Sequence, residues 1–258
     1  MTPLLELHGV SKRFGAVQAL AGVDFDVHAG EVVGLVGDNG AGKSTLVKVM
    51  SGIYVADEGE YRFDGQARHV RGPSDATALG VATVYQDLAL CDNIDVVGNL
   101  YLGREIRRRG VLDEVEMERR SRELLQTLSI RIPSVRIPIA SLSGGQRQTV
   151  AIARSMLGEP KLVILDEPTA ALGVEQTAQV LDLVERLRER GHAVILISHN
   201  MADVKAVADK VAVLRLGRNN GVFEVKSTSQ EEIISAITGA TENAVTRRAA
   251  RTTGEIKK

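Results

Sequence analysis

An α/β domain built on a buried, largely parallel sheet is the fold class this sequence predicts, and three observations predict it. Short runs rich in Val, Ile and Leu recur along the chain, and longer amphipathic stretches separate them. Several of the runs are apolar throughout, as strands covered on both faces are. The strongest are Val32–Val36, Val81–Tyr85, Leu162–Leu165, Val194–Ile197 and Val211–Leu214. Nearer the N-terminus the signals differ. Leu4–Leu7, Val23–Val27 and Tyr61–Phe63, the last followed by Asp64-Gly65, suggest antiparallel strands and a hairpin, so a small β layer is expected beside the main sheet.

Between about 88 and 156 helical signals replace strand signals. Asp113 has the side chain of an N-cap, and the stretch DEVEMERRSRELLQTLSI that it opens places Met117, Leu124, Leu125 and Leu128 on one face. This predicts a helical insertion in the α/β core. Pro133 and Pro138 mark an extended connection out of it. The stretch 241–258 has five Lys or Arg against two Glu, a charge of +3 that leaves −4 for 1–240, and no apolar periodicity. A flexible basic tail is expected there, after one domain over 1–240.

Composition bounds the function classes. The chain has 258 residues, 44% hydrophobic and 25% charged, with a net charge of −1. That profile is globular and excludes disorder, collagen-like repetition and a disulfide scaffold. Apolar runs such as LVIL at 162–165 and AVILI at 193–197 fall far short of the ~20 residues that cross a bilayer. The segment MTPLLELHGV is too short and interrupted for a signal peptide, and Cys91 is the single cysteine, so a cytosolic setting is expected. Near-neutrality argues against nucleic-acid binding by bulk charge.

The most informative motif is GDNGAGKST, the residues Gly37, Asp38, Asn39, Gly40, Ala41, Gly42, Lys43, Ser44 and Thr45. It fits G-x-x-x-x-G-K-[ST], follows the strand EVVGLV and opens the helical stretch TLVKVM, which is the strand–loop–helix order of P-loop NTPases. Glycines let backbone N–H groups curl round phosphate oxygens, Lys43 reaches the β and γ phosphates, and Ser44 can ligate Mg²⁺. A Mg²⁺–nucleotide site of this kind also needs an acidic residue ending a neighbouring strand, and KLVILDEP supplies Asp166. Glu167, next in the chain, suits a general base that polarises an attacking water.

LSGGQ at Leu142, Ser143, Gly144, Gly145 and Gln146 stands 20 residues before Asp166, and His199 stands 33 residues after it. With the phosphate loop, these motifs resemble the nucleotide-binding subunits of ABC transporters, over roughly residues 4–240. The resemblance implies a RecA-like core, an antiparallel β subdomain and a helical subdomain carrying LSGGQ. It implies ATP and Mg²⁺ as cofactors. It makes Gln86 a sensor of metal and attacking water, a third metal-side group beside Ser44 and Asp166. His199 then holds the γ phosphate and orients Glu167, and Phe14 stacks on adenine. EPTAALG, SHNM at 198–201 and TSQEEIISAITGA are similar to the monosaccharide-import branch, here in a single-domain form. Where many of these ATPases read SALD, this chain reads AALG at 170–173, so the usual aspartate gives way to Gly173.

The partners implied are a second ATPase subunit, most simply an identical one, integral membrane permease subunits docking over about 87–103, and a periplasmic or extracellular sugar-binding protein. The phosphate loop and LSGGQ are separated by the helical segment, so two head-to-tail chains, not one, are expected to close on each ATP. The implied location is peripheral, on the cytoplasmic face of the membrane. A soluble ABC ATPase acting as a switch, an exporter ATPase and an importer of a non-sugar cargo are the alternatives. The absence of a long coiled-coil insertion, a second ATPase domain and fused membrane spans weighs against the first two.

Overall fold

A computed structural model describes residues 2–239, and the basic tail expected over 241–258 lies outside the described residues. The chain begins with a long hairpin of β1 (Leu5–Phe14) and β2 (Val17–Val27), after which β3 (Val32–Val36) runs through the phosphate loop into α1 (Lys43–Met50). A second hairpin, β4 (Glu58–Phe63) and β5 (Gln66–Ala67), precedes α2 (Pro73–Leu79) and β6 (Val81–Val84). Next come α3 (Val96–Tyr101), the short pair β7 (Arg107–Arg108) and β8 (Val111–Leu112), α4 (Glu114–Thr127) and α5 (Gly144–Met156). The chain then alternates through β9 (Leu162–Asp166), α6 (Val174–Glu189), β10 (Ala193–Ile197) and α7 (Met201–Val207). It closes with β11 (Lys210–Arg215), β12 (Arg218–Glu224) and α8 (Gln230–Thr238).

The main sheet has six strands in the order β12-β11-β3-β10-β9-β6, parallel throughout except at the β11–β12 edge. Side-chain alternation divides each central strand between two cores. Val32, Val36, Val163, Leu165, Val194 and Leu196 face the one shared with the helices. Val33, Leu35, Leu162, Ile164, Ile195 and Ile197 face the other, shared with α1 and the four-stranded antiparallel sheet β2-β1-β4-β5. Burial on both faces is why these strands are apolar at every position before Asp166, which ends β9.

The helical segment follows its predicted pattern. Asp113 caps α4, its Oδ1 accepting the Glu116 N–H at 3.1 Å. Met117, Leu125 and Leu128 are buried, and Leu124 packs beside them. Ser121 shares that face, donating its hydroxyl to the Met117 carbonyl at 2.8 Å. In the connection after α4, Arg136 reaches Glu118 at 2.6 Å and Asp95 at 3.3 Å, which ties the connection to α4 and α3. α5 packs on α3, α4 and α6.

Five strands differ from expectation. β1 and β2 run well beyond Leu4–Leu7 and Val23–Val27, because their outer halves are half-exposed and interrupted by register shifts that break the apolar alternation. The pair β7–β8 is a small strand element inside the helical segment. β12, sequence RNNGVFE, is an edge strand with mostly exposed side chains, and pairs with β11 although its composition is polar.

Candidate functional site

The phosphate loop hangs between a rigid strand and a short helix. β3 is buried at all five positions, so Gly37 emerges from a fixed point. Gly42, at the N-cap of α1, has φ 104°, and a Cβ there would lie 2.8 Å from the Ala19 carbonyl oxygen, so both conformation and space call for glycine. No side chain caps α1. Its first N–H groups are therefore available to an anion, at the positive end of the helix dipole. Lys43 Nζ folds back to the Gly37 and Asp38 carbonyls, at 2.6 and 3.0 Å. Burial lowers the Lys43 pKa, and Glu167, Asp38 and Asp166 oppose that shift. Two neutral carbonyls are weak partners for an ammonium, which phosphate oxygens outcompete.

A cavity of about 370 Å³ brings the expected chemistry together: Asn39 through Thr45, Gln86, Asp166 and Glu167 line it. Asp166 is the last residue of β9, paired in register with Ile197 of β10. Burial raises its pKa, with a further push from Glu167 and relief from Lys43 and Lys48. Glu167 turns the chain at φ 51°, donating its N–H to the Ile197 carbonyl at 2.9 Å. Its Oε2 lies 2.7 Å from His199 Nδ1. Imidazole and carboxylate thus form one hydrogen-bonded pair at the rim of the cavity.

Gly37 and Asp38 contribute carbonyls to Lys43 and do not line the cavity. Phe14 does not line it either. The ring is 40% exposed at the end of β1 and packs edge-on to Tyr54, centroids 5.0 Å apart. Between Phe14 and the phosphate loop, Val17, Gln18 and Ala19 form the wall. Sequence reasoning missed these three. No signal in the sequence marks them, and it is the structure that leaves the apolar Val17 65% exposed beside a hairpin turn.

Ser143 and Gln146 line a different cavity, of about 660 Å³, which shares no residue with the first. Here α5 begins at Gly144, inside the LSGGQ run. Ser143 is the N-cap of α5, its Oγ accepting the Gln146 N–H at 3.3 Å while Gln146 Oε1 accepts the Ser143 N–H at 3.0 Å. Leu142 is buried and anchors the turn. Gly145 lies against α6, where a Cβ would sit 2.8 Å from the Gln176 Cβ. Gln176 also accepts the Gly173 N–H at 3.4 Å.

Beyond Gln86 the chain borders a groove of about 420 Å³ between β6, α2 and α5, with Asp87, Leu88, Ala89, Leu102 and Arg104 on its walls. Arg154 of α5 donates to the carbonyls of Leu88 at 2.6 Å and Ala89 at 2.7 Å. The buried Asn99 secures the next turn, accepting the Cys91 N–H at 2.7 Å and donating to its carbonyl at 2.9 Å. Arg154 and Asn99 sit in helical patterns, where sequence gives no sign of such grips.

The sequence profile of the ABC transporter family matches residues 20–170. The chain belongs to the ABC transporter family. Its sequence is 43% identical over 238 residues to the xylose/arabinose import ATP-binding protein of Sulfolobus acidocaldarius, covering 92% of this chain and 95% of that protein. It is equally 43% identical over 248 residues to the fructose import ATP-binding protein of Rhizobium meliloti, covering 93% and 95%. Against a ribose import ATP-binding protein of Rubrobacter xylanophilus the identity is 43%, but this ABC chain spans 48% of that longer protein. Among solved structures, the ADP conformation of an ABC transporter's ATP-binding cassette matches with a TM-score of 0.80 and 26% identity, over 92% of this chain and 96% of that one. The α/β fold is that of an ABC cassette, and the chain is a nucleotide-binding member of that family.

Proposed function

We propose that this ABC chain is the ATP-hydrolysing subunit of a monosaccharide importer. The observation that carries the proposal is the separation of two half-sites: the phosphate loop with Asp166 and Glu167, the latter bonded to His199, lines one cavity, and Ser143 with Gln146 lines another. Two chains head to tail unite them, with ATP between Gly37–Thr45 of one and Leu142–Gln146 of its partner. The sugar assignment is supported by the import proteins for xylose/arabinose and fructose, each matched at 43% identity over nearly its whole length.

Within each shared site, Lys43 leaves its carbonyl partners for the β and γ phosphates, and the uncapped N-terminus of α1 receives phosphate oxygens. Glu167 takes a proton from the water that attacks the γ phosphorus as its bond to the ADP oxygen breaks, and His199 fixes the carboxylate. Ser44, Gln86 and Asp166 all line the phosphate cavity, so a hydroxyl, an amide and a carboxylate oxygen fit Mg²⁺ there. When bound, Mg²⁺ neutralises phosphate charge. Phe14, exposed at the hairpin end, offers a ring to the adenine.

Residues 88–156 serve as the helical insertion within a single ATPase unit. No described helix is long and apolar enough to cross a membrane. The membrane work falls to permease subunits, whose cytoplasmic elements dock in the groove beside Asp87–Ala89 and hold this chain on the inner face. An external sugar-binding protein supplies cargo to them. No nucleic acid is involved. The test is uptake of a panel of radiolabelled pentoses and hexoses by a strain lacking this gene. Loss of one sugar's uptake, restored by the wild-type chain and not by Lys43→Ala, is expected. Unchanged uptake of every sugar, with the chain recovered free of any polytopic partner, would contradict the proposal and favour a soluble ATPase switch.

A further inference from the structure

Asp203 lies on the first turn of α7, four residues after His199, and is 7% exposed. No cation pairs with it among the described residues. Its Oδ2 accepts the Thr169 hydroxyl at 2.7 Å, and its Oδ1 accepts the Asn200 side-chain amide at 3.0 Å. A carboxylate buried on neutral donors alone is costly, so its place in the fold calls for a reason. Thr169, buried as well, stands two residues after Glu167. Asn200 follows His199, donates its N–H to Ser198 Oγ at 3.0 Å and caps α7 by accepting the Ala202 N–H at 3.0 Å. Asp203 therefore joins the turn that carries Glu167 to the turn that carries His199.

The first of these turns needs outside support. Glu167 has φ 51° and Ala171 has φ 60°, left-handed conformations that side-chain-bearing residues hold only where surrounding contacts impose them. Thr169 lies between the two, and its hydroxyl is fastened to α7. The α7 end of the link is fixed in turn, because Met201 and Val204 on the same helix belong to the apolar core.

We propose that Asp203 is a positioning residue for hydrolysis: with Thr169 and Asn200 it locks the turn Glu167–Gly173 to the turn Ser198–Asn200, so that Glu167 and His199 are held as one unit. This rests on the general-base role of Glu167. ATP binding is carried chiefly by the phosphate loop, and only the γ-phosphate contact of His199 passes through the link, so the defect on breaking it falls mainly on kcat with little change in KM.

The experiment measures steady-state ATP hydrolysis by the permease-bound complex carrying Thr169→Val, Thr169→Ser, Asp203→Ala or Asp203→Asn. Thr169→Val is isosteric and keeps the fold; Asp203→Asn retains both hydrogen bonds if the threonine hydroxyl rotates to accept. We expect Thr169→Val and Asp203→Ala to lower kcat roughly tenfold with KM for ATP within about twofold. Thr169→Ser and Asp203→Asn should return to within about threefold of wild type. A wild-type kcat in Thr169→Val, a loss confined to KM, or a Thr169→Ser no better than Thr169→Val would overturn the proposal. Glu167→Gln in parallel separates the two ideas: normal turnover there removes the general base, whereas an inert Glu167→Gln beside a normal Thr169→Val removes only the link.

Discussion

Two glycine-bearing turns of this chain, the phosphate loop and LSGGQ, each open a helix, yet they solve the helix N-terminus in opposite ways. α1 starts at a left-handed glycine with no side-chain cap, and its lysine rests on two carbonyls. α5 starts at Ser143 with a complete capping box, which engages the Ser143 and Gln146 N–H groups within the chain and leaves those of Gly144 and Gly145 to an outside acceptor. The first turn presents uncapped N–H donors to an anion. The second is capped by its own side chains, and in the proposed dimer it meets phosphate only when a partner chain brings the nucleotide to it. Sequence similarity between the turns, both small and glycine-rich, hides this difference in hydrogen-bond state.

The largest way to break that contrast is Lys43→Ala. Removing the one mobile cation of the phosphate loop is expected to weaken ATP binding by about 10²–10³-fold, measured by calorimetry or fluorescent-nucleotide titration. Binding at wild-type strength would mean that the backbone alone holds the phosphates. Glu167→Gln should retain ATP and lose roughly 10²–10⁴-fold in turnover, with the ATP-bound dimer accumulating in size-exclusion runs of the permease complex. Ser143→Ala tests the other turn. Losing the cap costs about 1 kcal/mol, seen as a small drop in melting temperature, and nucleotide affinity of the isolated chain should not change. Turnover in the complex should fall nonetheless if, as proposed, the serine meets the nucleotide of the partner chain.

Smaller effects sharpen the picture. Arg154→Met removes both hydrogen bonds to the Leu88 and Ala89 carbonyls. Permease stimulation of ATP hydrolysis should drop by about three- to tenfold while basal turnover stays near wild type. Asp166→Asn should be inactive, yet slightly more stable without nucleotide. The folded-state pKa of Asp166 is raised, mainly by burial, so its ionised form disfavours folding at neutral pH and protonation on acidification relieves that cost. Differential scanning fluorimetry at pH 7 should therefore show a higher melting temperature for the nucleotide-free variant, and the gap should narrow as the pH falls through that raised value.

What could be read in the sequence follows the physics of burial. β3, β9, β10 and β11 were legible because two-sided burial leaves them apolar at nearly every position. β12 was not, since an edge strand with exposed Arg218, Asn219 and Asn220 looks like a loop until β11 offers it a ladder. The phosphate loop, Asp166 and LSGGQ were legible because chemistry fixes residue type and order together. The Thr169–Asp203 link and the Arg154 grip were not, because each joins residues at least 34 positions apart through single side chains in otherwise ordinary helices and turns.

The central claim, that one chain holds two halves of different sites, has a direct test in complementation. Lys43→Ala spoils only the phosphate loop and Ser143→Ala only the signature turn, so neither homodimer retains an intact site. A mixed dimer retains one. Coexpressing the two variants with the permease and assaying ATP hydrolysis should recover up to about a quarter of wild-type turnover, since half the dimers are mixed and each has one working site of two. Activity of the mixture no greater than the sum of the two variants measured separately would contradict the account.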